Sequence, residues 1–351
     1  MLTETELKLQ LPAASLAAIP DHPLVRSRLE GGWQHLELFN QYYDTSDLAL
    51  DRAGFALRLR RDGDCIIQTL KGRGSSRAGL SVRQEWDWYL ERAELSLEHL
   101  REPGLPGALA ELDLTRLQPL FRTDFQRQKG CLCWQYQGAP VELELALDVG
   151  EAVGPARRSP IRELELELRQ GPEAAVREFA LQLARDLAML PCDSAKAERG
   201  YRLLDPARRA PLPPLPAVQQ KAQQLLPALL HCQLAAVLNH GERLLSGCQD
   251  ALAPMQAALQ RLARGQRLQE QLTPDSVSLS HTLEQLSAEL APDGCADGAR
   301  QRLTEDPRWG WLALKLAQPP DAAGKGGSEP VLTARARSEL EQLYGEILHE
   351  Y

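Results

Sequence analysis

Charged residues in the N-terminal half of this 351-residue chain recur at every second place, and their signs are sorted by segment. Glu4, Glu6 and Lys8 alternate with Leu7 and Leu9, and Arg58 and Arg60 with Leu57 and Leu59. Thr69 and Lys71 form a further pair, followed by Arg83, Glu85 and Asp87, Arg127 and Lys129, and Glu144 and Asp148. Glu163, Glu165 and Glu167 alternate with Leu164, Leu166 and Leu168. In an extended chain, residues two apart face the same way, so each segment has one charged face and one apolar face. Carboxylate oxygens hold hard divalent cations such as Mg²⁺ or Mn²⁺. Arginine forks match phosphate oxygens two at a time, and lysines add point charge. A polyanionic phosphate chain bridges the two sets, with metal ions neutralising oxygen charge and activating water for in-line attack.

For any one segment the ordinary reading is a solvated charged face over an apolar core. Solvated faces mix signs, however, whereas here the acidic segments lie near 4–6 and 163–167 and the basic ones near 58–60 and 127–129. That sorting favours a closed barrel with the charged faces inside and helices covering the apolar outside. The alternation predicts strands at 3–10, 36–43, 55–62, 65–71, 80–90, 121–136, 140–149 and 161–169. Helices are expected at 13–29, interrupted by Pro20 and Pro23, at 94–101, and at 172–190 after Gly171-Pro172. The fold class is therefore α+β, an eight-stranded antiparallel barrel or tunnel with flanking helices, followed by an all-α domain.

The second domain is announced by a change of texture. A Pro-rich stretch, 206–217, is too stiff for helix or sheet and reads as a linker. Beyond it Leu, Ala and Gln dominate. Leu225, Leu226, Leu229, Leu230, Leu234, Val237 and Leu238 recur at helical spacing. Leu252, Met255, Leu259 and Leu262 do the same, then Leu279, Leu283, Leu286 and Leu290. Pro319 to Pro330, with Gly324, Gly326 and Gly327, reads as a flexible loop. The domains expected are 1–205 and 218–351.

Composition narrows the function further. A net charge of −8 argues against a nucleic-acid partner, which a basic surface would attract. No apolar run approaches the ~18 residues of a membrane span. The N-terminus lacks the basic start and apolar stretch of a secretory signal, so a cytoplasmic location is expected. Seven cysteines without regular spacing read as reduced thiols; Cys131 and Cys133 share a strand face but lack the second pair usual in zinc sites.

In their order along the chain these residues resemble the CYTH family of triphosphate tunnel metalloenzymes. Glu4-Thr-Glu6-Leu-Lys8 resembles its Glu-x-Glu-x-Lys signature, and Tyr42-Tyr43-Asp44-Thr45 its second-strand motif. Leu57-Arg58-Leu59-Arg60, Thr69-Leu70-Lys71-Gly72 and Arg83-Gln84-Glu85 resemble the next three strands, and Thr123 to Lys129 the later basic strand. Glu144 to Asp148 and Glu163 to Glu167 resemble the acidic strands, and Ser194-Ala195-Lys196 with Arg199 the closing motif.

The resemblance implies metal-dependent hydrolysis of inorganic triphosphate or short polyphosphate, with Mg²⁺ or Mn²⁺ held by Glu4, Glu6, Asp148, Glu165 and Glu167. It implies phosphate contacts from Arg58, Arg60, Lys71, Arg83, Arg127, Lys129, Lys196 and Arg199. Lys8, with Glu4 and Glu6, is expected at the reacting centre, touching phosphate or orienting water. Glu85 is expected to hold its basic neighbours, and Glu163 either to join the acidic set or to point at the rim. Other readings within the resemblance are an organic-triphosphate enzyme, such as a thiamine triphosphatase or adenylate cyclase, and a binding module without catalysis. The helical half resembles a shortened CHAD domain, although its 12 basic and 16 acidic residues and its scattered His231, His240, His281 and His349 give no basic helical face.

Overall fold

The computed structural model describes residues 2–215, 222–272, 278–318 and 333–349. The expected loop at 319–330 and the last residues of the linker lie outside them. The chain divides into two compact units, one of residues 1–182 with 192–209 and one of 183–191 with 210–351.

In the first unit, eight antiparallel strands close on themselves. They are β1 (Leu2–Gln10), β2 (Leu29–Asp44), β3 (Phe55–Asp62), β4 (Cys65–Gly72), β6 (Leu80–Leu90), β7 (Gln118–Tyr136), β8 (Ala139–Val153) and β9 (Arg158–Gln170), with a short β5 (Ser75–Arg77) on the edge of β6. The order β1-β9-β8-β7-β2-β3-β4-β6 returns to β1 through the β1–β6 pairing, so no long edge is left open. Register places equivalent charged positions side by side: Glu4 opposite Arg83, Glu6 opposite Glu167, Lys8 opposite Glu165, Arg127 opposite Asp148, and Glu144 opposite Glu167. All these side chains therefore face one way, into the barrel.

The apolar faces point outward and are covered. Leu57, Leu70 and Trp86 pack with Leu50 of α3 (Ala49–Arg52), Leu100, Leu109 of α4 (Gly107–Ala110) and Leu114. Trp134 at the far end of β7 meets Phe179 of α5 (Glu173–Leu183). Near the start of the chain α1 (Ala13–Ala18) lies along β9, and α2 (Pro23–Arg26) follows it after a turn at Pro20. Each fully buried leucine in these layers stabilises the barrel by about 2 kcal/mol. The charged faces are thus turned inward beneath an apolar exterior, the inverse of a water-exposed sheet.

Two expected helices differ. The segment at 94–101 forms only a single helical turn at His99–Arg101. Buried Gln68 donates to the Ser96 carbonyl at 3.1 Å and accepts the Ser96 N–H at 2.8 Å, replacing the helical bonds while Leu95, Leu97 and Leu100 still pack inward. The helix expected over 172–190 stops at Leu183. Pro191 disfavours helical backbone at Leu190, which is extended.

The last helix of the first unit, α6 (Lys196–Leu204), sits against the inner faces at one end of the barrel. Ala197 and Tyr201 pack on Tyr42 and Phe121, and Leu203 on Leu38, Phe125, Ala152 and Ile161. Gly200 lies so close to the Phe121 ring that a Cβ there would enter it. This helix covers one end of the barrel, and Glu30 and Glu142 at the opposite rim are exposed.

The second unit is helical: α7 (Ala222–Leu245), α8 (Leu252–Leu272), α9 (Ser280–Leu290), α10 (Ala296–Glu305), α11 (Arg308–Leu316) and α12 (Ala334–Leu348). Leu225, Leu226 and Leu229 meet Leu268, Leu272, Leu340, Leu343 and Ile347 in its core. Glu270 caps α9 by accepting the N–H groups of Leu279 and Ser280 at 2.7 and 2.9 Å. No described helix is long and apolar enough to cross a membrane.

Candidate active site

The interior is a lattice of ion pairs in which every cation named from the sequence faces the barrel lumen. Lys71 Nζ contacts Glu4 at 3.0 Å and Glu85 at 2.9 Å. Arg83 Nε lies 3.0 Å from Glu4, and its other arm reaches Glu6. Lys8 bridges Glu6 at 3.2 Å and Glu165 at 3.6 Å. Arg127 forks onto Asp148 with two bonds of 2.7 Å and also meets Glu165. Lys129, nearer the rim opposite α6, stands 3.4 Å from Glu144. From α6, Lys196 meets Asp148 at 2.6 Å, Glu165 at 2.8 Å and Glu163, and Arg199 meets Glu163 at 3.2 Å. One helical turn separates Lys196 from Arg199, which puts both on the face turned into the barrel.

The alternative that Glu163 points at the rim is corrected. It is fully buried, anchored by Lys196 and Arg199 from the covering helix. Glu85 does hold its basic neighbours, Lys71 and Arg58, the latter at 3.8 Å. Asp44 is a structural residue. Its buried carboxylate accepts N–H groups from Thr45, Leu50 and Asp51 at 2.7 to 3.0 Å and the Tyr201 hydroxyl at 2.9 Å. It thereby ties the start of α3 to the covering helix.

Opposite charges balance in most of this lattice and fail to balance at two places. On the basic side, Arg60 has no carboxylate within ion-pair distance among the described residues. Its Nε donates to Asn40 at 2.8 Å. Burial, with repulsion from Arg58 and Arg127, pushes its pKa down to about 9. A guanidinium stays protonated in proteins, so this depression measures an unmet need for an anion. Nearby, the buried Arg58 Nε has no acceptor among the described residues. Tyr42 reports the same field: burial resists its ionisation, yet Arg58, Arg60, Lys196 and Lys71 draw its phenol below the usual range.

On the acidic side, Glu167 lies among Glu4, Glu6 and Glu144. Burial, only partly offset by Arg169, raises its pKa to about 7, and those three carboxylates add to the rise. Negative charge here exceeds what Arg169 supplies at 2.7 Å. By contrast Glu4 and Glu165, despite burial, are held well below the carboxylate range, Glu4 by Lys71 and Arg83 and Glu165 by Lys196, Arg127 and Lys8. Lys8, although buried, is held above the ordinary lysine range by Glu6, Glu165 and Glu163. The ammonium form is the one this carboxylate setting favours.

Oxygen donors fit a hard divalent cation. The crowding of Glu4, Glu6 and Glu144 around Glu167 is the place where such an ion relieves repulsion. Asp148, Glu163 and Glu165 also bring one oxygen each within 4.8 Å of one another, but the ammonium of Lys196 already spans them.

The sequence reading passed over Asn40 and Arg169. Asn40 is buried, donates to the Thr123 carbonyl at 3.0 Å and orients Arg60. Its signal was its parity with Tyr42 on β2, opposite the arginines of β3.

Comparison with known proteins agrees with this geometry. The chain matches the CYTH domain over residues 2–201. The chain belongs to the CYTH-domain family. It is 30% identical over 203 residues to an inorganic triphosphatase of Haemophilus influenzae, a match covering 58% of this chain and 55% of that protein. The CYTH chain thus spans about half the length of that curated relative. Among solved structures it is similar to a putative adenylyl cyclase from Hippeastrum described as having a dominant triphosphatase activity. There the identity is 17% and the TM-score 0.38, over 56% of this chain and 95% of that one. It is also similar to a putative adenylate cyclase from Bacillus halodurans, at 18% identity and a TM-score of 0.35, over 57% of this chain and 98% of that one.

Proposed function

We propose that this CYTH protein hydrolyses inorganic triphosphate to pyrophosphate and phosphate in its barrel, using a divalent cation, Mg²⁺ or Mn²⁺. The observation that carries the reading is a double imbalance inside one closed barrel: an unmet need for an anion at Arg60, whose neighbour Arg58 has among the described residues only Glu85 at 3.8 Å, and for a cation beyond Arg169 at Glu167. A metal–triphosphate complex supplies both at once. Glu4, Glu6 and Glu167 would hold the ion, with Glu165 and Asp148 at its flank, and the ion when bound polarises phosphate oxygens.

The residues of the chain do the rest. Arg58, Arg60 and Arg127 take the polyanion near the covered end, while Lys71, Arg83 and Lys129 line its path from the opposite rim. Each cation that pairs with a carboxylate in the free protein can exchange it for a phosphate oxygen, so binding needs no charge to be newly buried alone. Lys196 and Arg199 reach in from α6 and keep the acidic wall in place. Lys8, held protonated beside Glu6, orients the attacking water. As its oxygen bonds to the terminal phosphorus, the bridging P–O bond breaks, the proton the water sheds passes to a phosphate oxygen, and the arginines stabilise the charge that moves onto the pyrophosphate. Residues 1–205 carry this chemistry in the proposal, with the helical part as an auxiliary region. A phosphate-release screen of tripolyphosphate, ATP and thiamine triphosphate with Mg²⁺ and Mn²⁺ tests the reading. It predicts tripolyphosphate as the best substrate, and preference for an organic triphosphate overturns it.

A further inference from the structure

Beyond Lys129 on β7, Cys131, the register partner of Glu144, and Cys133, that of Glu142, turn to the inner face of the barrel. Their Sγ atoms stand 3.7 Å apart. Cys131 Sγ is also 3.7 Å from Glu142 Oε1 on β8, the strand partner of Cys133. On the other side Glu30 of β2 is the register partner of Cys131, and it shares a hydrogen bond with the Cys133 thiol. Three adjacent strands thus set two sulfurs side by side with one carboxylate against each, Glu142 at Cys131 and Glu30 at Cys133. An ion with tetrahedral metal–sulfur bonds of about 2.3 Å holds its two thiolates about 3.8 Å apart. The thiol pair already has that spacing before any ion is present.

We propose that Cys131 and Cys133, completed by Glu142 and Glu30, form a binding site for a thiophilic divalent cation, zinc or cadmium, at the exposed rim of the barrel. The site is separate in chemistry from the all-oxygen wall of Glu4, Glu6 and Glu167, which suits hard ions. Glu142 and Glu30 are exposed rim residues, free to swing onto an ion held by the two sulfurs. Burial, with Cys133 and Glu142 alongside, holds the Cys131 thiol up at about 12. Both sulfurs are therefore protonated in the free protein, and each releases its proton to solvent as its metal bond forms. A Cys-x-Cys in the sequence lacks a second ligand pair. The barrel supplies it from the neighbouring hairpin strand, with Glu142, and from β2 a hundred residues earlier, with Glu30, which is why Cys spacing alone argued against a metal role.

The test is an equilibrium titration of the full chain with Cd²⁺ in a non-thiol reductant, reading the ultraviolet charge-transfer band of cadmium thiolate, with Zn²⁺ as competitor. The parent should take up one equivalent with a band for two thiolates and release protons in step. The variant Cys131→Ser/Cys133→Ser should lose the band and bind at least about 100-fold more weakly, since loss of even an outer partner costs about 10–100-fold. Glu142→Gln, at an exposed position that leaves the fold intact, should keep the band and weaken binding about 10-fold. An unchanged isotherm in the double cysteine variant would assign the ion to the other five thiols and overturn the proposal, as would a parent with no band. This readout is independent of phosphate release, so failure here and failure of the triphosphatase reading are distinguishable.

Discussion

Replacing Glu167 by glutamine should stabilise the metal-free protein at neutral pH and weaken its response to metal. The side chain keeps its volume and loses its charge. In the folded protein Glu167 ionises at about 7 rather than 4.5, mainly because it is buried, with Glu4, Glu144 and Glu6 adding repulsion against the pull of Arg169. A raised folded value means that the stability contributed by this carboxyl is complete below about 4.5 and is lost as pH rises through 7. The full loss corresponds to about 3 kcal/mol. Denaturant titration in EDTA should therefore find parent and variant alike near pH 4, with the variant more stable by about 1–3 kcal/mol at pH 8. Binding to the native state stabilises by RT ln(1 + [L]/Kd), so added Mg²⁺ or Mn²⁺ should raise the parent more than the variant and narrow the gap. A variant less stable than the parent at pH 8 in EDTA would show that the Arg169 pair outweighs the repulsion, and the charge surplus would be refuted.

Other substitutions separate the parts of the site. Glu6→Gln should lower kcat by about 10²-fold or more in steady-state assays, because it removes charge beside both Lys8 and Arg83. Asn40→Ala frees Arg60 from its oriented position and should raise KM for tripolyphosphate about 10-fold with little change in Tm, read by kinetics and thermal melts together. Gly200→Ala drives a methyl into the Phe121 ring and should lower Tm by several degrees through loosened seating of α6, with activity falling as Lys196 and Arg199 shift.

Much of this site was legible because strand periodicity is two and the charges obey it without a slip. The parity of Glu4 with Lys8, of Arg58 with Arg60 and of Glu163 with Glu167 assigned faces, and the barrel's register then set those faces together. Long-range pairing escaped the sequence. Nothing local says that Lys196 will span Asp148, Glu163 and Glu165, because that depends on α6 lodging in the barrel end where Gly200 makes room for Phe121. The start of β2 was placed too late because Gly31 and Gly32, both at positive φ, break the alternation at an irregularity in its pairing with β7. The segment at 94–101 carries helix-like leucine spacing, but Gln68 from a neighbouring strand takes up its backbone groups, a contact visible only in three dimensions.

The central claim is that the anion demand at Arg60 and the carboxylate crowding at Glu167 are satisfied together by a metal-bound triphosphate. Isothermal titration of a non-hydrolysable tripolyphosphate analogue into the parent protein, whose carboxylates are all intact, tests it most directly. The account predicts that the analogue binds at least about 10-fold more tightly with Mg²⁺ or Mn²⁺ than in EDTA, and that Arg60→Ala weakens binding in both conditions. Equal affinity with and without the metal, and indifference to Arg60, would contradict it.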